Sequence, residues 1–235
     1  MTTHTNAAVD LVTRRARRVS QLYQIRGLGP VCYAILRRLT QLPGIRHCCH
    51  LCAVELLRLP ISSEPPPITA RLYAVHQAVK TDQQQLVEYF HEHCFVPSRL
   101  EEGHICLIAV SQKTIGAAVW LACGPANYSE DWNELRCTVR LPEKVAWSYD
   151  GKGSKMGAWG VLMKQLPTLL QSHDISEVAT IIDCDNWQSL DAHRSLGYQT
   201  SGILVHIRIL GVPIRLFRPQ SGRWRSVPHT IDHLG

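Results

Sequence analysis

The sequence contains no unbroken apolar run of the roughly eighteen residues that a membrane-crossing helix needs. Met1–Arg18 has no apolar stretch ahead of its arginines, so no secretory leader is expected, and a cytoplasmic location is the expectation. Cysteine is not scarce, but its pattern excludes a disulfide framework: the nine cysteines are an odd number at irregular spacing. Most, including Cys106, Cys123 and Cys184, sit in apolar runs, where a thiol behaves as a small buried hydrophobe. Three familiar catalytic signatures are also missing: a Gly-x-Ser-x-Gly elbow, a phosphate-binding Walker loop and a His-Glu-x-x-His helix. What remains is a chain of 235 residues with 45% hydrophobic content, enough for one full core and an extension.

Charge is unevenly placed. Residues 1–60 carry nine arginines against Asp10 and Glu55, a local charge of +7 in a chain of net charge +6. The rest is close to neutral. A basic extension suits either a solvated helix face or an acidic partner: a phospholipid surface, nucleic acid or an acidic carrier protein. Helical spacing of Val19, Leu22 and Tyr23, then Val31, Ala34, Ile35 and Leu39, predicts two helices broken at Gly27-Leu28-Gly29-Pro30. Arginines flank this stripe, so peripheral membrane contact is one reading and packing on the main domain the other. His47-Cys48-Cys49-His50-Leu51-Cys52 admits a zinc reading, but no second ligand pair lies at a matching distance, and no metal is expected. The segment reads equally as a strand. Ser62-Ser63-Glu64-Pro65-Pro66-Pro67 reads as a stiff linker. The arginines after the core (Arg208, Arg215, Arg218, Arg223, Arg225) are too scattered for a recognition motif, and no nucleic acid is expected.

From Ile68 onward the elements alternate in type. Ile68–Val79 reads as a strand, and Thr81-Asp82 caps a helix from Gln83 to about His93. His104–Val110 and Ile115–Cys123 form a hairpin about Ser111–Thr114. Gly124–Glu134 is polar and reads as a loop. Leu135–Tyr149 supplies one or two strands, and a Gly-rich turn from Gly151 to Gly157 enters a helix over about Ala158–Gln171, which Pro167 should kink. Val178–Asp183 is a buried strand, Asn186 caps a helix over Trp187–Leu196, and Gly197 ends it. Gln199–Leu210 closes a sheet. The expected division is a basic helical extension and linker over 1–67, a domain over 68–211 and a tail over 212–235. The expected class is α/β (α+β), a mixed central sheet flanked by helices with an N-terminal helical extension.

The run Asp-x-Asn186-x-x-Ser189-x-x-x-His193-x-x-Leu-Gly197-Tyr198 resembles the distal motif of the GNAT acyltransferases, and the element order matches that fold along 68–211. The resemblance implies an N-acyltransferase that moves an acetyl or longer acyl group from acetyl-CoA or another acyl-CoA to the amine of a small molecule. The pyrophosphate of the donor would lie on backbone amides at a helix start, where free N–H groups and the positive helix end attract phosphate. Gly151, Lys152, Gly153, Lys155, Gly157, Trp159 and Gly160 are the candidates, with Asn186 and Ser189 toward the pantetheine arm. The loop departs from the family pattern of Arg/Gln-x-x-Gly-x-Gly/Ala, so it also reads as a plain strand-to-helix turn. His193 occupies the slot where the family places Tyr, the proton donor to the leaving thiolate, and imidazole can supply that proton; a packed helix residue is the other reading. Asp150 is the candidate base, with Tyr149 and Glu134 in reserve, and Asp150 also reads as a turn cap. Two alternatives stay open. One is an N-acyl amino acid synthase that takes its acyl chain from acyl carrier protein. The other is a non-catalytic binding or regulatory protein on the same fold.

Overall fold

In a computed structural model the described residues are 28–62, 72–91, 95–131, 135–228 and 230–232. The first helix of the extension, the proline linker and Glu134 lie outside them. The elements follow in the order α1 (Leu28–Thr40), α2 (Ile45–Cys48), β1 (Cys49–Pro60), β2 (Ala74–Gln77), α3 (Gln83–Phe90), α4 (Phe95–Glu101), β3 (Ile105–Ser111), β4 (Thr114–Cys123), β5 (Ala126–Glu130), β6 (Cys137–Leu141), β7 (Val145–Gly153), α5 (Ala158–Gln171), β8 (Glu177–Asp183), α6 (Trp187–Ser195), β9 (Gln199–Ile209), β10 (Val212–Pro219), β11 (Arg225–Ser226) and β12 (Thr230–Asp232).

Nine strands form one sheet in the order β11-β10-β9-β1-β8-β7-β4-β3-β2, and β12-β6-β5 form a second, smaller one. Within the large sheet β7 and β8 are parallel and every other neighbouring pair is antiparallel. The class read from sequence, a mixed sheet flanked by helices, is the architecture observed. α5 lies on one face through Ala158, Leu162, Met163, Leu166 and Leu170, a stripe at helical spacing. It packs with Leu57, Leu107, Val119, Leu121 and Leu190 of α6. The other face buries Val54, Leu56, Ile108, Trp120, Trp147 and Phe217 against α3 and the small sheet. Alternation along each strand divides these two sets: Leu107 points to one layer and Ile108 to the other. The β3–β4 hairpin turns at Gln112 and Lys113, both with positive φ (50° and 62°), as a two-residue turn requires.

Three expectations change. The expected extension includes residues 49–60, yet β1 lies between β8 and β9, with Val54 and Leu57 fully buried. The reason is composition: Leu51 to Leu59 is apolar at most positions on both faces, which only a strand covered on both sides can bury. β10 falls in the expected tail, but it pairs with β9 along its whole length and buries Phe217. Within the expected loop 124–134, Ala126–Glu130 is a strand paired with β6. α5 runs on through Pro167. The end of α6 is as expected: Gly197 has φ 95°, its N–H reaches Arg194 O, and Tyr198 N–H reaches His193 O, a Schellman closure.

α1 is fastened to this sheet at the end of β8. The Tyr33 hydroxyl donates to Asp183 Oδ1 (3.2 Å) and accepts from Ala53 N–H (2.9 Å). Arg37 pairs with Asp183, and Asp185 N–H donates to Oδ1 of the same carboxylate (2.8 Å). Burial raises the Asp183 carboxyl against these opposing contacts.

Because β1 is interior to the sheet, Leu57→Ala should cost about 2–5 kcal/mol. Urea unfolding followed by tryptophan fluorescence measures this. A loss under about 0.5 kcal/mol, the scale of a surface change, would contradict the central placement of β1.

Candidate active site

The parallel pair β7–β8 is short. Val145, Ala146 and Trp147 register with Glu177, Val178 and Ala179, and no further pairs follow. One side-chain bridge continues it, from Thr180 Oγ1 to Ser148 O at 2.8 Å. Beyond that point the strands part, and a cleft of about 260 Å³ opens between them. Ser148–Gly151 line one wall and Thr180–Asp183 the other. Backbone groups that would otherwise form a parallel ladder therefore face the cleft and can bind an extended ligand.

Of the residues named from sequence, Tyr149, Asp150, Gly151, Trp159, Asn186, Ser189 and His193 line this cleft. Lys152 is elsewhere. Its ammonium donates to Tyr89 O (2.7 Å) and lies 5.0 Å from the Tyr89 ring centroid, on the α3 side. The strand period explains this: Gly151 and Gly153 face α5, so Lys152 between them faces away. The two glycines also serve a purpose other than the one expected. A Cβ at Gly151 would come within 2.4 Å of the Trp159 ring, and one at Gly153 within 3.1 Å of Trp159 Cβ. They make room for Trp159. The turn that follows is tied to β4, since Ser154 N–H and Lys155 N–H both donate to Gly116 O (2.8 and 3.1 Å). Lys155 is exposed. Gly157 (φ 78°) leads into α5, whose first turn has no side-chain cap. A side chain at Gly157 or Gly160 would meet nothing within 4 Å. Those uncapped amides fit a phosphate.

α6 presents the opposite wall. Asn186 caps it, with Oδ1 accepting from Ser189 N–H at 3.3 Å. His193 is buried, packed edge-on to Tyr198 at 5.0 Å between ring centroids and 6.0 Å from Trp159. Its Nδ1 lies 2.7 Å from Ser189 O. A carbonyl only accepts, so Nδ1 carries the proton. Burial also favours the neutral ring. Neutral His193 therefore offers Nε2 as an acceptor, which differs from the proton donor expected from sequence.

A second cavity, of about 530 Å³, adjoins the first and shares Glu130, Tyr149 and Asp150 with it. Its walls come from α4, β5 and β7. Arg99 of α4 donates to Asp150 Oδ2 at 2.6 Å, and its guanidinium lies 5.1 Å from the Tyr149 ring centroid. Asp150 itself has φ 46° at a register shift between β4 and β7. The expected base is thus engaged by a cation that the sequence reading left out. The Tyr149 hydroxyl hydrogen-bonds His104 Nδ1 and the ring stacks on Tyr128 at 4.7 Å. Burial raises the Tyr149 hydroxyl and lowers the His104 imidazole, so the pair rests as neutral phenol and neutral imidazole. Glu130 is 5% exposed, with Oε2 accepting from Trp147 Nε1 at 3.0 Å. Its only sequence signal was the period-two spacing of Tyr128 and Glu130.

No family model and no curated protein matches this sequence. Among solved structures, the chain is similar to a GNAT-family protein from Novosphingobium aromaticivorans, with TM-score 0.48 and 10% identity over 69% of this chain and 65% of that one. A GCN5-related N-acetyltransferase from Kribbella flavida gives 0.47 and 9% over 72% and 62% of the two chains. A tandem GNAT protein from the clavulanic acid biosynthesis pathway gives 0.45 and 13% over 78% and 59%. At this level of similarity, roles for individual side chains come from the site itself.

Two outcomes follow for His193. Long-range proton–nitrogen NMR at pH 7 should find Nδ1 protonated and Nε2 unprotonated; the reverse tautomer would remove the Ser189 bond. Stability should fall as pH drops below about 6.5, where the unfolded chain's imidazole takes a proton and the buried one does not. Comparing urea midpoints of the parent and His193→Phe between pH 5 and 8 measures the effect, and an identical pH dependence in both would contradict it.

Proposed function

We propose that the protein is an N-acyltransferase of the GNAT type, carrying an acyl group from a coenzyme A thioester to the amine of a small molecule. The observation that carries this reading is the meeting of two cavities at Glu130, Tyr149 and Asp150. A narrow cleft with open strand edges suits the extended pantetheine arm, and the uncapped start of α5 suits its pyrophosphate. The wider, aromatic and acidic cavity suits the acceptor.

The step joins the amine nitrogen to the thioester carbon and breaks the carbon–sulfur bond, while the amine proton ends on sulfur. Tyr149 and His104 supply a route for that proton. The amine hands it to the Tyr149 oxygen as the phenol passes its own to His104 Nδ1. Once the thiolate leaves, the phenol protonates it and His104 restores the phenol. A neutral imidazole at rest is what this exchange requires, and burial provides it. Glu130, at the junction, draws the amine into the cavity as a cation, which gives up its extra proton to solvent before the neutral amine attacks. His193 orients the donor through Nε2.

Calorimetry with acetyl-CoA and a long-chain acyl-CoA, followed by thiol release over a panel of amines, tests the reading. Micromolar binding of a CoA ester is expected, with turnover of at least one amine. Tyr149→Phe should lower kcat about 100-fold or more with donor binding unchanged. The acid limb of kcat/KM should lie below about pH 6.5, because His104 protonates only there. Binding of no CoA ester, or full turnover by Tyr149→Phe, would sink the proposal.

A further inference from the structure

α1 buries little of its apolar surface. Val31 and Ala34 are 7% and 6% exposed, whereas Leu36 and Leu39 on the other side are 52% and 47% exposed. The exposed line continues past the helix through Leu42 and Ile45. It then meets a second exposed apolar group at the β9–β10 turn, where Leu210 and Val212 are 77% and 61% exposed. The two are joined by backbone: Leu210 N–H donates to Cys48 O at 2.7 Å, and Cys49 registers with Ile209. Val212 sits opposite Ile209, and Ile214 opposite Ile207, which places these four side chains on one face of the sheet.

The exposed charges on these segments are positive. From Leu28 to Val54 the sequence contains no aspartate or glutamate, and Arg38 and Arg46 are exposed, while Arg37 is paired with Asp183. From Ser195 to Ile231 there is again none, with five arginines, although Arg215 turns to the other face of the sheet and donates to Leu135 O and Arg136 O. One of these, Arg218, lies 5.2 Å from the ring centroid of Trp224, which is itself 47% exposed. Exposed leucines bordered by arginines and an indole match an interface between acyl chains and anionic headgroups. Nucleic acid would use the arginines but leave the leucines in water. No helix among the described residues is long and apolar enough to cross a bilayer, so the contact lies on the surface.

We propose that α1, α2 and the β9–β10 turn form a docking face for a membrane surface rich in anionic phospholipid. The probe is vesicle co-sedimentation of the full chain. Vesicles containing phosphatidylglycerol should carry the protein down, pure phosphatidylcholine should not, and added salt should weaken the binding. The double variant Leu36→Glu, Leu210→Glu changes exposed side chains and should keep the fold, which circular dichroism and a thermal melt are to check. It should lower the partition constant about 100-fold. Equal partition of parent and double variant overturns the proposal, as does binding to neither vesicle. A parent dimer in light scattering that the double variant dissolves, without vesicle binding, also overturns it and makes the face a contact between copies.

Discussion

The parting of β7 from β8 is the constraint on which the rest of the site depends. Three registered pairs hold the strands together, and then their backbones stop bonding to each other. A parallel pair in the middle of a sheet that opens this way leaves polar groups that a ligand or water must satisfy. The surrounding elements hold the gap open. β4 keeps β7 on one side, and β1 keeps β8 on the other. Trp159 leans on Gly151 and stops α5 from closing onto the strand. α1 fastens the far end of β8 through the contacts of Tyr33 and Arg37 with Asp183. The opening is therefore held by residues far apart in the chain, from Tyr33 to Asp183.

The electrostatics of the site follow from burial more than from ion pairing. His104, His193 and Tyr149 are each held toward the neutral form by removal from water, and the Ser189 carbonyl sets which nitrogen of His193 bears the proton. Arg99 plays a different part. It stacks on aromatic rings and fixes Asp150, shaping the wall between the cavities. A residue's identity in a motif thus says less about its chemistry than its partner does. His193 fills a slot where a proton donor was expected, yet the Ser189 carbonyl turns its free nitrogen into an acceptor.

Much of the central region was legible in the chain. Val178–Asp183, the Asn186 cap and the Gly197 stop are local signals, since strand propensity, capping and a positive-φ exit each act within a few residues. Tyr149, Asp150, Trp159, Asn186, Ser189 and His193 came from the resemblance to the acyltransferase motif and its loop, and they line one cleft. β1 was not legible as part of the sheet. Its apolar run shows burial on both faces, but its partners, β8 and β9, lie more than a hundred residues away, and nothing local names them. Glu130 and Arg99 were missed for the same reason: a carboxylate in a polar stretch looks solvated until Trp147 closes over it.

The sequence by itself determined the strand and helix of the distal motif with their boundaries, the β3–β4 hairpin and a basic N-terminal stretch with few acids, because propensity, caps and charge are properties of neighbours. The tertiary structure alone decided which strand lies between β8 and β9, that Gly151 makes room for Trp159, that Lys152 faces away from the cleft, and which nitrogen of His193 bears the proton. Each of these is set by a contact between residues distant in sequence, and contact, burial and dielectric exist only once the chain has folded.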